Sequence, residues 1–134
     1  MVPSPNRLRS ALVVISAATV ASGATQMLAP GFMLRLLKCP DTPADRQFFG
    51  TIGMFMIVMG GSLLDALVTD EPGPNHLAWA AAQKLAASAA VGIGIRRRVF
   101  SRRVIPVAAF DLVSGAVCLA YRRHLLDAAS DAGR

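Results

Sequence analysis

The stretch HLAWAAAQKLAASAAVGIGI, residues 76–95, is the part of the chain that decides the fold. It is long and apolar enough to cross a bilayer, which takes about 20 residues of helix, yet it carries Lys84 near its middle. An ammonium group at the centre of a membrane helix costs at least ~2.5 kcal/mol by insertion scales. The stretch therefore predicts a membrane helix that buries Lys84 against another helix.

Three more apolar stretches surround this one, and the four together lie at about 8–29, 48–68, 76–95 and 104–121. We expect an all-α fold, a four-transmembrane-helix bundle that forms one domain over residues 1–134. The composition agrees, because 54% of residues are hydrophobic and only 16% are charged, whereas a soluble domain carries about 25% charged residues. The sequence predicts a multi-pass protein of the cell membrane with the lipid bilayer as a partner.

The net charge of +6 comes from arginines at the ends of the apolar stretches, as in IRRRVFSRR at 95–103. Such residues set orientation and contact anionic headgroups, so we expect no nucleic-acid partner. The first and third connections carry eight Lys and Arg residues, against five on the other side. The positive-inside rule then places the arginine-rich connection in the cytoplasm and both tails outside.

The N-terminus also has features of a signal peptide, since Arg7 and Arg9 precede the apolar run ALVVISAATV. The apolar character continues through Met27 and Leu28, which is longer than a usual signal core. We expect the first helix to be retained.

The cysteines and histidines indicate neither a disulfide nor a metal site. Cys39 and Cys118 fall near opposite ends of the predicted bundle, beyond the ~7 Å that a disulfide allows between Cα atoms. His76 and His124 stand at no ligand spacing relative to the cysteines. No cofactor is indicated either.

Each predicted span has one face of small and polar residues, at the spacings of three and four that place residues on one side of a helix. Small residues on such a face let membrane helices approach closely. The four faces are Ser16, Thr19, Gly23 and Gln26; Arg46, Gly50, Gly53, Ile57 and Gly60; Ala80, Lys84, Ser88 and Gly92; and Asp111, Ser114 or Gly115, and Cys118.

Lys84 and Asp111 do not serve close packing, so they need another explanation. Measured from the arginine-rich connection, Asp111 lies ~10 Å and Lys84 ~16 Å into the bundle, and consecutive helices with a short connection are usually neighbours. We expect the two side chains to meet, with Arg46 and Gln26 converging on them from the same side. They form either an ion pair that fixes helix register or the polar part of a ligand cavity that exchanges a proton.

Two segments of the first half, MLAPGFMLRLL at 27–37 and DRQFFGTIGMFMIVMGG at 45–61, resemble the DoxX-like group of small four-helix membrane proteins. That group includes relatives of the fungal ergosterol-biosynthesis scaffold protein. The resemblance implies a four-helix bundle associated with lipophilic small molecules such as quinones, sterols or isoprenoids. It assigns no catalytic residue.

The function we expect is binding or transformation of a lipophilic small molecule (isoprenoid, sterol, quinone or polyketide-like) in a polar pocket inside the membrane. An enzyme of this kind would isomerise or cyclise its substrate by proton transfer, with Asp111 and Lys84 as catalytic residues. The substrate-binding residues would be Arg46, Gln26, Ser88 and Ser114. Two alternatives are a non-catalytic scaffold, which contacts membrane enzymes or further copies of itself through its small-residue faces, and a proton-coupled exporter. The chain has no GxSxG, HExxH or Walker motif, which disfavours hydrolases and ATPases.

Overall fold

The computed structural model describes residues 4–69 and 72–133, and within them the chain is all-helical, as predicted. The acidic residues Asp70 and Glu71 of the second connection lie outside the described residues. Five α-helices follow one another, and a short 3₁₀ helix, Arg102–Val104, precedes the last of them. They are α1 Pro5–Leu28, α2 Pro30–Leu36, α3 Pro43–Thr69, α4 Pro74–Arg96 and α5 Ile105–Ala132.

Three of these helices are long and apolar enough to cross a membrane: α1, α3 and the continuous segment Arg102–Ala132 that contains α5. Their most apolar windows have mean hydropathies of 1.6, 1.8 and 1.9. Helix α4 has 23 residues, which is sufficient length, but Gln83 and Lys84 at its centre make it more polar than the other three. The structure thus supports a membrane protein by helix length and composition.

Proline begins α1, α2, α3 and α4 at the first helical position, where its missing N–H has no helical partner to lose. The observed ends differ from the sequence prediction at two places. Helix α3 begins at Pro43 rather than near residue 48, and α5 continues to Ala132 rather than ending near residue 121. Hydropathy marks where a helix would meet hydrocarbon, and both helices continue beyond that point with polar residues.

The long helices pair as two antiparallel hairpins, α1 with α3 and α4 with α5. Contacts between α1 and α5 join the hairpins, whereas contacts between α3 and α4 are sparse. Where α1 and α3 cross, Gly23 and Gly53 bring the two backbones together. A Cβ added to Gly53 would lie 2.5 Å from the carbonyl oxygen of Gly23, so only glycine fits there.

The predicted small and polar face of α1 is buried: Ser16, Thr19, Gly23 and Gln26 point into the bundle, together with Leu8 and Leu12. On α4 the prediction holds for Ala80 and Lys84 but not for Gly92, which is exposed, with open space where a side chain would begin. The outer surface carries large apolar side chains such as Val14, Phe48, Phe55, Val58 and Trp79. So much exposed apolar surface is typical of contact with lipid.

Candidate functional site

The centre of the bundle holds an ion pair between α4 and α5. The Lys84 ammonium donates a hydrogen bond of 2.9 Å to Asp111 Oδ1 and one of 3.0 Å to Thr19 Oγ1. The side chains of Lys84 and Asp111 are only 9% and 13% exposed, and the Phe110 ring centroid lies 5.2 Å from the Lys84 nitrogen. The predicted meeting of Lys84 and Asp111 is therefore confirmed.

Close packing of α4 against α5 sets the register that brings Lys84 to Asp111. A Cβ on Gly115 would lie 2.8 Å from the Leu85 side chain, so the absence of one lets the helices approach. The Ser88 hydroxyl donates a 2.9 Å hydrogen bond to the Ala108 carbonyl oxygen, which ties the two helices together one turn from Lys84. Ser88 thus lies near the ion pair, but its proton is donated to the backbone of α5.

Thr19 is a member of this cluster that sequence reasoning did not assign to the site. Its hydroxyl donates to the Ile15 carbonyl oxygen at 2.9 Å, so the lone pairs of the oxygen face Lys84 and accept from it. The sequence does contain a signal, because Thr19 lies on the polar face of α1 near mid-helix. That signal is not enough alone, since no rule of adjacency along the chain connects α1 with α4.

A small cavity of about 20 Å³ is lined by Lys84 and by residues of all four long helices. Its polar lining comes from Ser16 and Thr19 of α1 and from His76, Gln83 and Lys84 of α4. Ser16 is 1% exposed, and its hydroxyl has no hydrogen-bond partner among the described residues. Such a volume accommodates one water molecule and is far below the ~300 Å³ of the smallest usual ligand pockets.

Ser114 is buried on α5, one turn after Asp111, as the predicted face requires. Its hydroxyl donates a 2.6 Å hydrogen bond to the Phe110 carbonyl oxygen of its own helix. This bond satisfies the hydroxyl proton inside the bundle without a partner from another helix. Neither Ser88 nor Ser114 has a free donor for a ligand in this arrangement.

Arg46 does not lie at the ion pair. The expectation that it converges on Lys84 and Asp111 is therefore wrong. Its guanidinium binds both carboxylate oxygens of Asp41 in the first connection, and Arg35 donates to the same carboxylate at 2.7 Å. Gly31 makes room for the cluster, since a Cβ there would lie 2.9 Å from Arg46 Nε. The hydrogen bond from Arg46 lowers the pKa of Asp41 below its ordinary value, with a smaller contribution from Arg35.

Gln26 is buried between α1 and α3, with its Cβ 2.8 Å from the position a Cβ on Gly53 would take. Its side-chain oxygen has no hydrogen-bond partner among the described residues. Gln26 is absent from the lining of the small cavity beside Lys84. It therefore belongs to the α1–α3 contact rather than to the ion pair.

A larger groove of about 340 Å³ opens between the end of α1, the start of α2 and the start of α3. This volume falls within the ~300–1,000 Å³ range of small-molecule sites. A Cβ added to Gly50 would have its nearest neighbouring atoms 3.9 Å away, so the groove reaches the backbone of α3 there. The sequence indicated Arg46 but not this groove, whose lining is Met27, Pro30, Pro43, Arg46, Gln47, Gly50, Thr51 and Met54.

The described residues thus form a buried ion pair with a water-sized cavity and, near the arginine-rich end, an open groove of ligand size. The resemblance to the DoxX-like group stays a prediction. Comparisons of the chain with protein-family models, curated proteins and solved structures found no match.

Proposed function

We propose that this chain is a four-span protein of the cell membrane that binds a lipophilic small molecule with an anionic head in the α1–α2–α3 groove. The observation that carries the proposal is the groove itself, with its volume of about 340 Å³ and its mixed lining. The cavity beside Lys84 is too small for such a molecule. Binding is therefore assigned to the groove, with Arg46 as the recognition residue.

Helix α4 is the fourth span in this proposal, although it is the least apolar of the long helices. The Lys84 charge is compensated inside the bundle by Asp111 and Thr19, which lowers the cost of placing an ammonium in lipid. Trp79 is 72% exposed one turn into α4, as expected for an aromatic anchor at a membrane interface. Paired with α5, α4 presents a mostly apolar outer surface.

The lining of the groove suits a molecule with two unlike ends. Met27 and Met54 provide flexible, polarisable apolar surface, while Arg46, Gln47 and Thr51 provide polar groups. Arg46 is the fourth residue of α3, at the end of the helix that also faces the arginine-rich connection. The ligand head would bind there, and the apolar tail would extend along α3 toward the bilayer.

The charges around the groove favour an anionic head. Two guanidinium groups, those of Arg35 and Arg46, share the single carboxylate of Asp41, so these three groups carry one net positive charge, while the nearby Asp45 carboxylate is bonded to Thr42. A phosphate or carboxylate on the ligand would compete with Asp41 for Arg46 and could bind it through two parallel hydrogen bonds. A neutral quinone or sterol would gain only the apolar contacts.

The binding test uses the full chain in lipid nanodiscs and three probes: farnesyl phosphate, a short-tailed quinone and a sterol. Gly50→Leu should abolish binding of farnesyl phosphate by filling the groove. Gly61→Leu is the matched control, because Gly61 lies on the same helix with open space around it and should bind as the parent does. Arg46→Gln should weaken farnesyl phosphate and leave the neutral probes unchanged.

Equal binding by the Gly50→Leu and Gly61→Leu variants would overturn the assignment to the groove. If none of the three probes binds the parent protein, the ligand-binding proposal fails and the result favours the non-catalytic scaffold. If the quinone or sterol binds better than farnesyl phosphate, the groove is retained but the anionic head is wrong.

A second candidate function is proton-transfer catalysis at Asp111 and Lys84, and the buried contact between them is the observation that favours it. A substrate could reach this pair only if the bundle opened, and the sparse contacts between α3 and α4 are where it would open. Asp111→Asn should then stop deuterium incorporation into a bound isoprenoid probe in heavy water without changing its affinity. Incorporation that persists in Asp111→Asn would exclude this candidate.

A further inference from the structure

The small cavity beside Lys84 contains an unusual polar atom, the hydroxyl oxygen of Ser16. Buried hydroxyl groups nearly always have a hydrogen-bond partner, and leaving one without costs roughly 1–3 kcal/mol. Ser16 is 1% exposed, lines the cavity, and has no partner among the described residues. An occupant that both donates and accepts hydrogen bonds would satisfy it.

Lys84 requires the same occupant. An ammonium group has three N–H donors, and two of those of Lys84 are used by Thr19 and Asp111. Among the described residues no third oxygen acceptor is in hydrogen-bond range, and Phe110 approaches only with its ring face. The cavity of about 20 Å³ is lined by Lys84 and by Thr19, which accepts a hydrogen bond from the ammonium, and it is the size of one water molecule.

We propose that one internal water molecule bridges Ser16 and Lys84, and that solvent reaches the Lys84–Asp111 pair only from the His76 end of the bundle. The cavity lining extends from Lys84 through Gln83 to His76, in the first turn of α4. His76 is half-buried, and its Nε2 lies 3.3 Å from the exposed Ser62 hydroxyl. Polar groups thus lead from the surface to the ion pair.

The opposite route, toward the arginine-rich connection, is closed by packing. The Ser88 hydroxyl, one turn from Lys84 toward that connection, is bonded to the Ala108 carbonyl oxygen. The ring of Phe110 covers the ammonium on the α5 side. The titratable groups that line the cavity are Lys84, His76 and Cys118, and Asp111 faces the Lys84 ammonium. The described residues of α1 and α3 contribute no charged group to the lining.

The water is directly observable because the chain has only two lysines, Lys38 and Lys84. Protein labelled with ¹⁵N-lysine and held in nanodiscs gives two ammonium signals, and the exposed Lys38 serves as the internal reference for bulk solvent. We expect a cross-peak between the Lys84 ammonium and a long-lived water. Ser16→Val should remove it by filling the cavity, whereas Ala17→Val, which adds the same bulk on the exposed face of α1, should leave it intact.

The direction of access is tested by the exchange rate of the Lys84 ammonium protons with solvent. His76→Leu should slow this exchange, and Ser88→Ala should leave it unchanged. A parent protein without a water cross-peak at Lys84 would overturn the internal water, as would a cross-peak that survives Ser16→Val. Faster exchange in Ser88→Ala, with no effect of His76→Leu, would overturn the one-sided access. None of these results depends on ligand binding in the groove.

Discussion

Lys84 is tolerated inside the bundle because an opposite charge and a hydroxyl oxygen both face its ammonium. Removing one member of a buried ion pair leaves the other charge uncompensated, which typically costs about 3–5 kcal/mol, whereas replacing both members with apolar residues is often close to neutral. Variants of Lys84 or Asp111 alone are therefore less informative about the ion pair than the variant that replaces both residues.

We expect Lys84→Met and Asp111→Leu each to destabilise the protein strongly, by about 3–5 kcal/mol, and the double variant to recover most of that loss. Unfolding of the purified protein in mixed micelles measures the three free energies of unfolding. Additive losses in the double variant would show that the two side chains do not depend on each other and would contradict the ion pair.

Thr19 is expected to contribute through its oxygen as an acceptor for Lys84. Thr19→Val keeps the shape and removes this acceptor, and a hydrogen bond to a charged group is worth about 1.5–3 kcal/mol. Thr25→Val is the matched control, because Thr25 makes the same bond to the carbonyl four residues back but is exposed. The same unfolding assay should give a clear loss for Thr19→Val only; equal effects would show that the Lys84 contact adds nothing.

The sequence was sufficient to predict the contact between Lys84 and Asp111, because the depth of a residue along adjacent antiparallel helices follows from counting residues. It was not sufficient for Arg46, whose partner Asp41 lies in an irregular connection with no period to place it. Thr19 was placed on the right face of α1, but its pairing with Lys84 depends on how the two hairpins pack. Local spacing does not contain that information.

The contact between α1 and α3 depends on two glycines rather than on large apolar side chains. Without water to drive helices together, membrane helices associate by close packing of small residues. Gly23 and Gly53 meet backbone to backbone, so a methyl group added at this crossing point would collide with backbone atoms, which cannot move away as a flexible side chain can.

Gly53→Ala should destabilise the protein by about 1–3 kcal/mol, the usual cost of overpacking. Gly61→Ala on the same helix should be neutral or slightly stabilising, because an added methyl group there would meet nothing within 4 Å and alanine favours helix. Thermal unfolding in detergent compares the two. A Gly53→Ala variant as stable as Gly61→Ala would mean that the helices can separate without loss.

At the level of helices, the sequence predicted the buried face of α1 and the pairing of α4 with α5. It did not predict where α3 begins and α5 ends, because the helical residues after Pro43 and after Tyr121 are polar and a search for apolar stretches does not include them. Both regions are helical, since nothing in their sequences breaks the hydrogen-bonding pattern.

For the whole molecule, four spans place both tails on the same side of the membrane, whereas three spans place them on opposite sides. With Cys39 and Cys118 replaced by alanine, new cysteines at Ser4 and Ser130 should react with an impermeant maleimide from one side, and a cysteine at Ser101 from the other. Labelling of the Ser4 and Ser130 positions from opposite sides would mean that α4 does not cross the bilayer.

If α4 crosses the bilayer as proposed, the pairing of α4 with α5 has a consequence for how the chain is inserted into the membrane. Lys84 leaves the ribosome before Asp111, so α4 reaches the translocon while its counter-ion is still in the exit tunnel. Helix α1, with the Thr19 acceptor, is by then already synthesised. On that proposal α4, the least apolar of the long helices, would be retained until α5 emerges, and the two helices would enter the lipid together as one insertion unit.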